Sequence, residues 1–418
     1  MNECEKYLIN FLSQGIPELE KRIAYIKMDE EIPDGKDIII IKSNFFEDGI
    51  FGSKDTEPRL PLSLLNGIPI LYGEPEIKKL DAKTVIYADL IASAFFLITR
   101  YEEIINKDRD EFGRFPGKKS VPYLAGFIHR PIVDEYTALL KKIAGIEDDK
   151  YCKRLCLTHD IDSPYTHFNL FTAIRKTVGD IVRKRPISTY QYQHLVGKIK
   201  DDPKYIFDRM IKTDLEVSDN QVIYFVKSGG NIKPYDDYIY IKDKAWRQLS
   251  DELLQSGAEI GFHSSFEAAE NPEVFYEELK LLERIQKTKV TKHRSHYLRS
   301  MEPDSFNVLI NAGITDDYTM GYADIAGFRL GTARNVLWID PKSKKLTSLV
   351  LHPMIAMDSS LIGKNYMNLS VEEAILYLKG LIDTSGYGTP SVIWHNHIMY
   401  NTSELETIYN WLIGYLKA

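Results

Sequence analysis

Five short polar clusters, four of them closing an apolar run, limit what this chain can fold into more than any other feature. They are Leu157-Thr-His-Asp-Ile-Asp162, Glu259-Ile-Gly-Phe-His-Ser-Ser265, Lys292-His-Arg-Ser-His-Tyr297, Thr315-Asp-Asp317 and Val392-Ile-Trp-His-Asn-His397. Segments of helix length separate them. Strands spaced by helices make a mostly parallel sheet. Such strands, delivering carboxylates, imidazoles and a guanidinium to one rim, are how an α/β barrel assembles a metal-dependent site.

The periodicity predicts strands near 154–159, 222–227, 258–263, 289–294, 313–317, 347–352 and 391–395. Helices are expected near 168–184, 203–217, 243–256, 272–287, 304–312, 370–384 and 403–416. Ser370-Val-Glu-Glu373 and Ser403-Glu-Leu-Glu406 fit the capping box, while Gly257 and Gly313 close helices. About seven strand–helix units suit a closed or nearly closed barrel better than a doubly wound sheet. Residues 185–200 pattern weakly and read as an excursion over one face.

At 418 residues the chain is too long for one average domain. The charged stretch Gly145-Ile-Glu-Asp-Asp-Lys150 is the best boundary, giving domains 1–150 and 151–418. The first combines strand-like runs at 37–42 and 68–72 with a strong helix from Leu90 to about Ile105, a small α+β unit. Net charge of -7 gives no electrostatic reason to expect nucleic acid or an anionic membrane surface as a partner. Three cysteines do not make a disulfide framework, and Cys152 and Cys156 lack a second pair to complete a metal site; Cys156 reads as a buried strand residue. The amino terminus reads as an amphipathic helix and not a secretory signal, and no apolar stretch is long enough to span a membrane. A cytoplasmic location is therefore expected.

Within the clusters, Asp160 and Asp162 share a face if the backbone stays extended, so both carboxylates can meet one ion. A lone D-x-D is more often a turn; the neighbouring clusters argue for function here. His263 follows a strand, with Gly261 keeping the backbone slim, and neutral imidazole is a natural zinc donor. Arg294 suits a bidentate grip on a carboxylate, holding it ionised. His395 is a candidate general acid, and His397 points the same way if the run stays extended. The aromatics Tyr318, Tyr322, Phe328 and Trp338 suit either a sugar platform or the core. Ser228-Gly-Gly reads as a turn. No phosphate-loop motif and no nucleophile elbow is present.

On these residues, 151–418 resembles the polysaccharide deacetylase superfamily, carbohydrate esterase family 4, with its NodB-like fold. The resemblance implies a distorted (β/α)7 barrel preceded by a smaller α+β domain. It implies one divalent metal, most often Zn²⁺, and removal of N-acetyl groups from sugars. It makes Asp160 the catalytic base, Asp162 and His263 metal ligands, Arg294 and Tyr297 the arginine motif, and His395 the general acid. Asp316 or Asp317 is then the nearest match to the aspartate that pairs with this acid, and Asp317 is the one assigned. The second metal histidine of the family falls at Glu267, so either Glu267 ligates or another side chain does; His296 is the preferred replacement. Tyr297, Trp394 and Asn396 are assigned to substrate. The expected substrate is an N-acetylated, or alternatively O-acetylated, sugar of a bacterial surface polysaccharide or its precursor. The alternative is a catalytically impaired glycan-binding or assembly protein on the same barrel.

Overall fold

The computed structural model describes residues 2–148, 154–165, 170–185, 200, 202, 204–217, 221–230, 232, 234–236, 244–399 and 402–417. Cys152 and the interior of the excursion expected at 185–200 lie outside them. The chain divides into two compact units. One comprises 1–153, 320–355 and 379–390; the other comprises 154–319, 356–378 and 391–418. By sequence we keep 1–150 and 151–418 as the proposed division of the chain.

The first unit is built on a four-stranded sheet. Its strands are β1 (Ile23–Ile26), β2 (Ile38–Ile41), β5 (Gly73–Leu80) and β6 (Lys83–Ala88), in the order β1-β2-β6-β5, with β5 antiparallel and the other pairs parallel. A hairpin of β3 (Ser63–Leu65) and β4 (Ile68–Ile70) stands apart. Helix Leu90–Ile98 is buried at every position, as its uninterrupted apolar sequence requires. Ion pairs anchor 320–355 here. The Asp134 carboxylate accepts from Thr332 Oγ1 (2.6 Å), Ala333 N (2.8 Å) and Arg334 Nε (2.8 Å), and Arg329 grips both oxygens of Glu103 at 2.9 and 2.7 Å. Such charge-assisted, two-point contacts are the strong kind.

The second unit holds β7 (Cys156–Ile161), β8 (Val222–Val226), β9 (Glu259–Ser264), β10 (Lys292–Ser295), β11 (Asp316–Met320) and, near its end, β14 (Ser391–His395). Their order is β11-β10-β9-β8-β7-β14, each neighbouring pair parallel. Two strands lie between β11 and β14 in sequence: β12 (Val336–Ile339) and β13 (Leu346–Met357). β13 follows β14 in the sheet and also pairs with β11, so seven strands close a (β/α)7 barrel; β12 is antiparallel to β13 and outside the ring. β7 is buried at all six positions, as expected of a parallel strand covered on both faces. Cys156 lies in it, and burial pushes its thiol up to about 12.

Local chemistry explains the helix ends. Ser370 N–H donates to Glu373 Oε2 (2.9 Å) and Glu373 N–H donates to Ser370 Oγ (3.3 Å), the reciprocal cap expected for helix Val371–Thr384. Gly313 closes helix Asp304–Ala312 at φ 84°. Tyr318, Tyr322, Phe328 and Trp338 are all buried and belong to the core, not to a platform. Among the described residues no helix is long and apolar enough to cross a membrane.

Candidate active site

The site grows from the inward face of β7. Thr158 and Asp160 alternate onto it, and the guanidinium of Arg294, fully buried, bridges them: Nη1 donates to Thr158 Oγ1 at 2.7 Å and to Asp160 Oδ1 at 2.8 Å. Nε donates to the Tyr318 carbonyl at 3.0 Å. Below, the guanidinium stacks on Phe225 at 4.4 Å. Phe225 fits only because its register partner is Gly261, where a Cβ would stand 2.5 Å from the ring. Burial alone would raise Asp160, but Arg294, His263 and His395 outweigh it and hold the carboxyl below its ordinary range.

Next to this pair, ligand atoms of Asp162, His263 and His296 all lie within 4.8 Å of one another. Asp162 Oδ1 is 3.3 Å from Nε2 of each histidine. The second ring nitrogens are occupied elsewhere. His263 Nδ1 donates to the Arg294 carbonyl at 2.9 Å, an acceptor that fixes the tautomer, and His296 Nδ1 bonds Asp236 Oδ1 at 2.8 Å. Both Nε2 atoms therefore turn to Asp162. Yet Asp162 Oδ1 and His263 Nε2 are buried and make no hydrogen bond. Buried polar atoms rarely go unsatisfied, and lone pairs converging on one point with nothing to share between them fit a cation. The donor set, one carboxylate and two imidazoles, suits zinc or a similar divalent metal. Burial would raise Asp162, but the imidazoles of His296, His263 and His395 carry it well below the usual range. Burial would lower His296, but Asp162 and Asp236 reverse that and raise it. A proton and a metal ion thus compete for the same place. Glu267 opens the turn Glu267–Ala269 and stands outside this group.

Opposite, His395 ends β14 in register with Asp160. Its Nε2 is 4.0 Å from Asp160 Oδ2 and 3.9 Å from Asp162 Oδ2. Its partner is Asp358, which accepts from Nδ1 at 2.9 Å and from the backbone N–H at 2.6 Å. Burial would lower this imidazole; the Asp358 charge and hydrogen bond win and bring it up to about 10, which favours the protonated form. Here the expectation for Asp317 is corrected. Arg294 faces inward, so His293 alternates outward, and register places Asp317 beside His293, whose Nδ1 it binds at 2.8 Å. Asp317 therefore lies on the wrong side of β11 to reach His395. Asp316, the other candidate, accepts from Thr315 Oγ1 at 2.6 Å. Sequence reasoning missed Asp358. It directly follows β13, as other site residues follow their strands, but it stands there as a lone carboxylate, 37 positions from the histidine it holds. Asp236 was missed because nothing in its surroundings marks it.

Ser264 Oγ, His293 Nε2 (2.9 Å) and the His293–Asp317 pair make a serine–histidine–aspartate chain outside the barrel. A cavity of about 180 Å³ borders His293 and Asp317, but Ser264 is fully buried and does not line it. The chain reads as a tie between β9, β10 and β11 and not as a nucleophile.

Two residues assigned to substrate also need correction. Trp394 alternates outward from His395, is completely buried and packs on Tyr409 at 5.2 Å, so it cannot touch a sugar. Asn396 is buried where the chain turns into the short helix Asn396–Met399, and its Nδ2 donates to the Ser163 carbonyl at 3.1 Å. That turn also ends the extended geometry assumed for His397, whose Nδ1 is 3.9 Å from Asp162 Oδ2. Tyr297 is half-buried, with φ 60°, and its ring is 4.6 Å from that of His296 and 5.4 Å from Phe266. Phe266 in turn stacks on Tyr235 at 4.2 Å. These three half-exposed rings, and not the buried aromatics named from sequence, stand beside the site.

A family of unknown function, DUF7033, matches residues 6–145. No curated protein matches the sequence. Among solved structures, the chain is similar to members of carbohydrate esterase family 4. One is the family 4 esterase of Streptomyces lividans in complex with acetate, at 9% identity over 64% of this chain and 91% of that one, with a TM-score of 0.31. Another is a family 4 pseudoenzyme of Bacillus anthracis, at 9% identity over 64% and 62%, TM-score 0.34. A third, from Mycobacterium smegmatis and provisionally described as a polysaccharide deacetylase, is 13% identical over 64% and 85%, TM-score 0.40.

Proposed function

We propose that residues 151–418 are a metal-dependent carbohydrate deacetylase acting on N-acetyl groups. One observation carries this reading: a buried carboxylate oxygen and two imidazole nitrogens converge, without hydrogen bonds to one another, between an arginine-held aspartate and an aspartate-held histidine. Asp162, His263 and His296 would hold the ion. When bound, it would polarise the acetamide carbonyl and lower the pKa of water. The remaining work falls to the chain. Asp160, kept ionised by Arg294, takes a proton from the attacking water. The C–N bond breaks, acetate departs, and His395 passes its proton to the leaving amine from Nε2 while Asp358 holds Nδ1. Tyr297 faces the sugar beside Phe266 and Tyr235. O-acetyl hydrolysis would use the same groups.

The substrate class we propose is an N-acetylated sugar of a bacterial surface polysaccharide or its precursor, met in the cytoplasm, with no nucleic-acid partner. The test is acetate release from N-acetylhexosamine oligomers by zinc-loaded protein, lost in Asp160→Asn. Protein that binds such oligomers but releases no acetate with any divalent metal would instead support a glycan-binding role.

A further inference from the structure

His296 needs more external support than the other donors. His263 lies on β9, fixed by two neighbouring strands. His296 instead follows β10 in a tight turn, His296–Leu298, in which Tyr297 and Leu298 both have positive φ. We infer that Asp236, seated by Lys227 and Gly230, is a positioning residue that holds His296 in place as the third donor; this rests on the reading that the site takes a divalent cation.

The geometry is specific. The Asp236 side chain is fully buried, and its Oδ1 receives both His296 Nδ1 (2.8 Å) and Lys227 Nζ (3.0 Å), while Oδ2 receives the Phe266 N–H (3.1 Å). A buried carboxylate costs several kcal/mol unless it is so surrounded, and a backbone carbonyl would satisfy Nδ1 more cheaply, as it does for His263. A carboxylate does more than satisfy. It strengthens the imidazole as a donor and fixes the tautomer that leaves Nε2 bare. Ser228-Gly-Gly now has a reason beyond a turn. At Gly230, with φ +105°, a Cβ would stand 2.8 Å from Asp236 Cβ and Cγ; at Gly229 it would meet Glu278 Oε1 at 2.4 Å. Both glycines let the backbone pass against the carboxylates behind the site. Where the resemblance leaves Glu267 in a ligand's position, this chain has Asp236 supporting a different ligand.

The test is calorimetric titration of Zn²⁺ into the metal-free full-length protein at fixed pH. Wild type should bind one equivalent. Asp236→Asn should weaken binding about 10- to 100-fold, the usual effect of losing such a partner. Asp236→Glu should recover part of the loss. In a His296→Ala background, where affinity is already reduced, adding Asp236→Asn should change it little, whereas a purely structural role would give the same loss in both backgrounds. Should Asp236→Asn fail to fold, Gly230→Ala keeps every donor and should still weaken binding by crowding Asp236. Unchanged affinity in either variant, with wild type binding normally, overturns the inference. Wild type that binds no zinc overturns the metal reading itself.

Discussion

Asp358 shows how one carboxylate can set the role of an imidazole. It takes both the Nδ1 and the backbone N–H of His395, which leaves Nε2 turned to Asp160 and Asp162. Asp358→Asn removes the negative partner while keeping an acceptor, so the imidazole falls back towards its ordinary value and delivers a proton less well. Turnover should drop about 10²- to 10⁴-fold with little change in zinc affinity, measured as acetate release and by calorimetry. Equal turnover would mean that His395 is no acid. Gly261 works at the same scale from below. A methyl there enters the space of Phe225, on which the Arg294 guanidinium rests. Gly261→Ala should cost about 1–3 kcal/mol in denaturant unfolding through overpacking, and should lower turnover by tilting the Arg294–Asp160 pair. A variant as stable and active as wild type would show that Phe225 has room to move.

At the scale of elements, the barrel strands were legible and the partner residues were not. Parallel strands covered on both faces read as apolar runs, so the strand expected at 391–395 is β14 to the residue, and that at 258–263 is β9 shifted by one. β5 was missed because its residues, Gly-Glu-Pro-Glu-Ile-Lys-Lys-Leu, are nearly all exposed and carry no apolar alternation. The six residues that converge in the candidate site, Asp160, Asp162, His263, Arg294, His296 and His395, announced themselves by standing at or just past the ends of strands. Asp236 ends no strand, and Asp358, although it follows β13, has no second polar site group beside it; they reach their histidines across 60 and 37 positions of chain, and nothing local marks either pairing. A further consequence of burial belongs to the short helix Glu102–Ile105 of the first unit. Burial pushes the Glu102 carboxyl up to about 8, only partly offset by the Val121 N–H at 2.7 Å. Below about pH 4.5 the folded and unfolded chains both hold this proton, so the group's ionisation adds nothing to the difference between them. Between about 4.5 and 8 the unfolded chain ionises first, and stability falls as pH rises, by about 1.4 kcal/mol for each pH unit. Glu102→Gln should therefore gain melting temperature over wild type at pH 8.5 and lose that advantage at pH 4.5. A difference in melting temperature that is the same at both values would rule this out.

Over the whole molecule, chemistry and compactness are distributed unequally. Every residue of the candidate site, from Asp160 to His395, belongs to the second unit, whereas the first unit is held by its own sheet, its buried helix and the ion pairs of Asp134 and Glu103. A ligand stabilises the state it binds by RT ln(1 + [L]/Kd), about 2.7 kcal/mol when it stands at one hundred times its Kd. That stabilisation acts where the donors are. Removing metal with a chelator should therefore raise amide exchange in β7, β9 and β10, which carry or adjoin Asp162, His263 and His296, and leave β1, β2 and β6 unchanged. Loss of protection by the same factor in both sets of strands would show that the units open together and that the cation secures the whole chain. No change in either would mean that these side chains hold no ion, and the deacetylase chemistry proposed for them would fall with it.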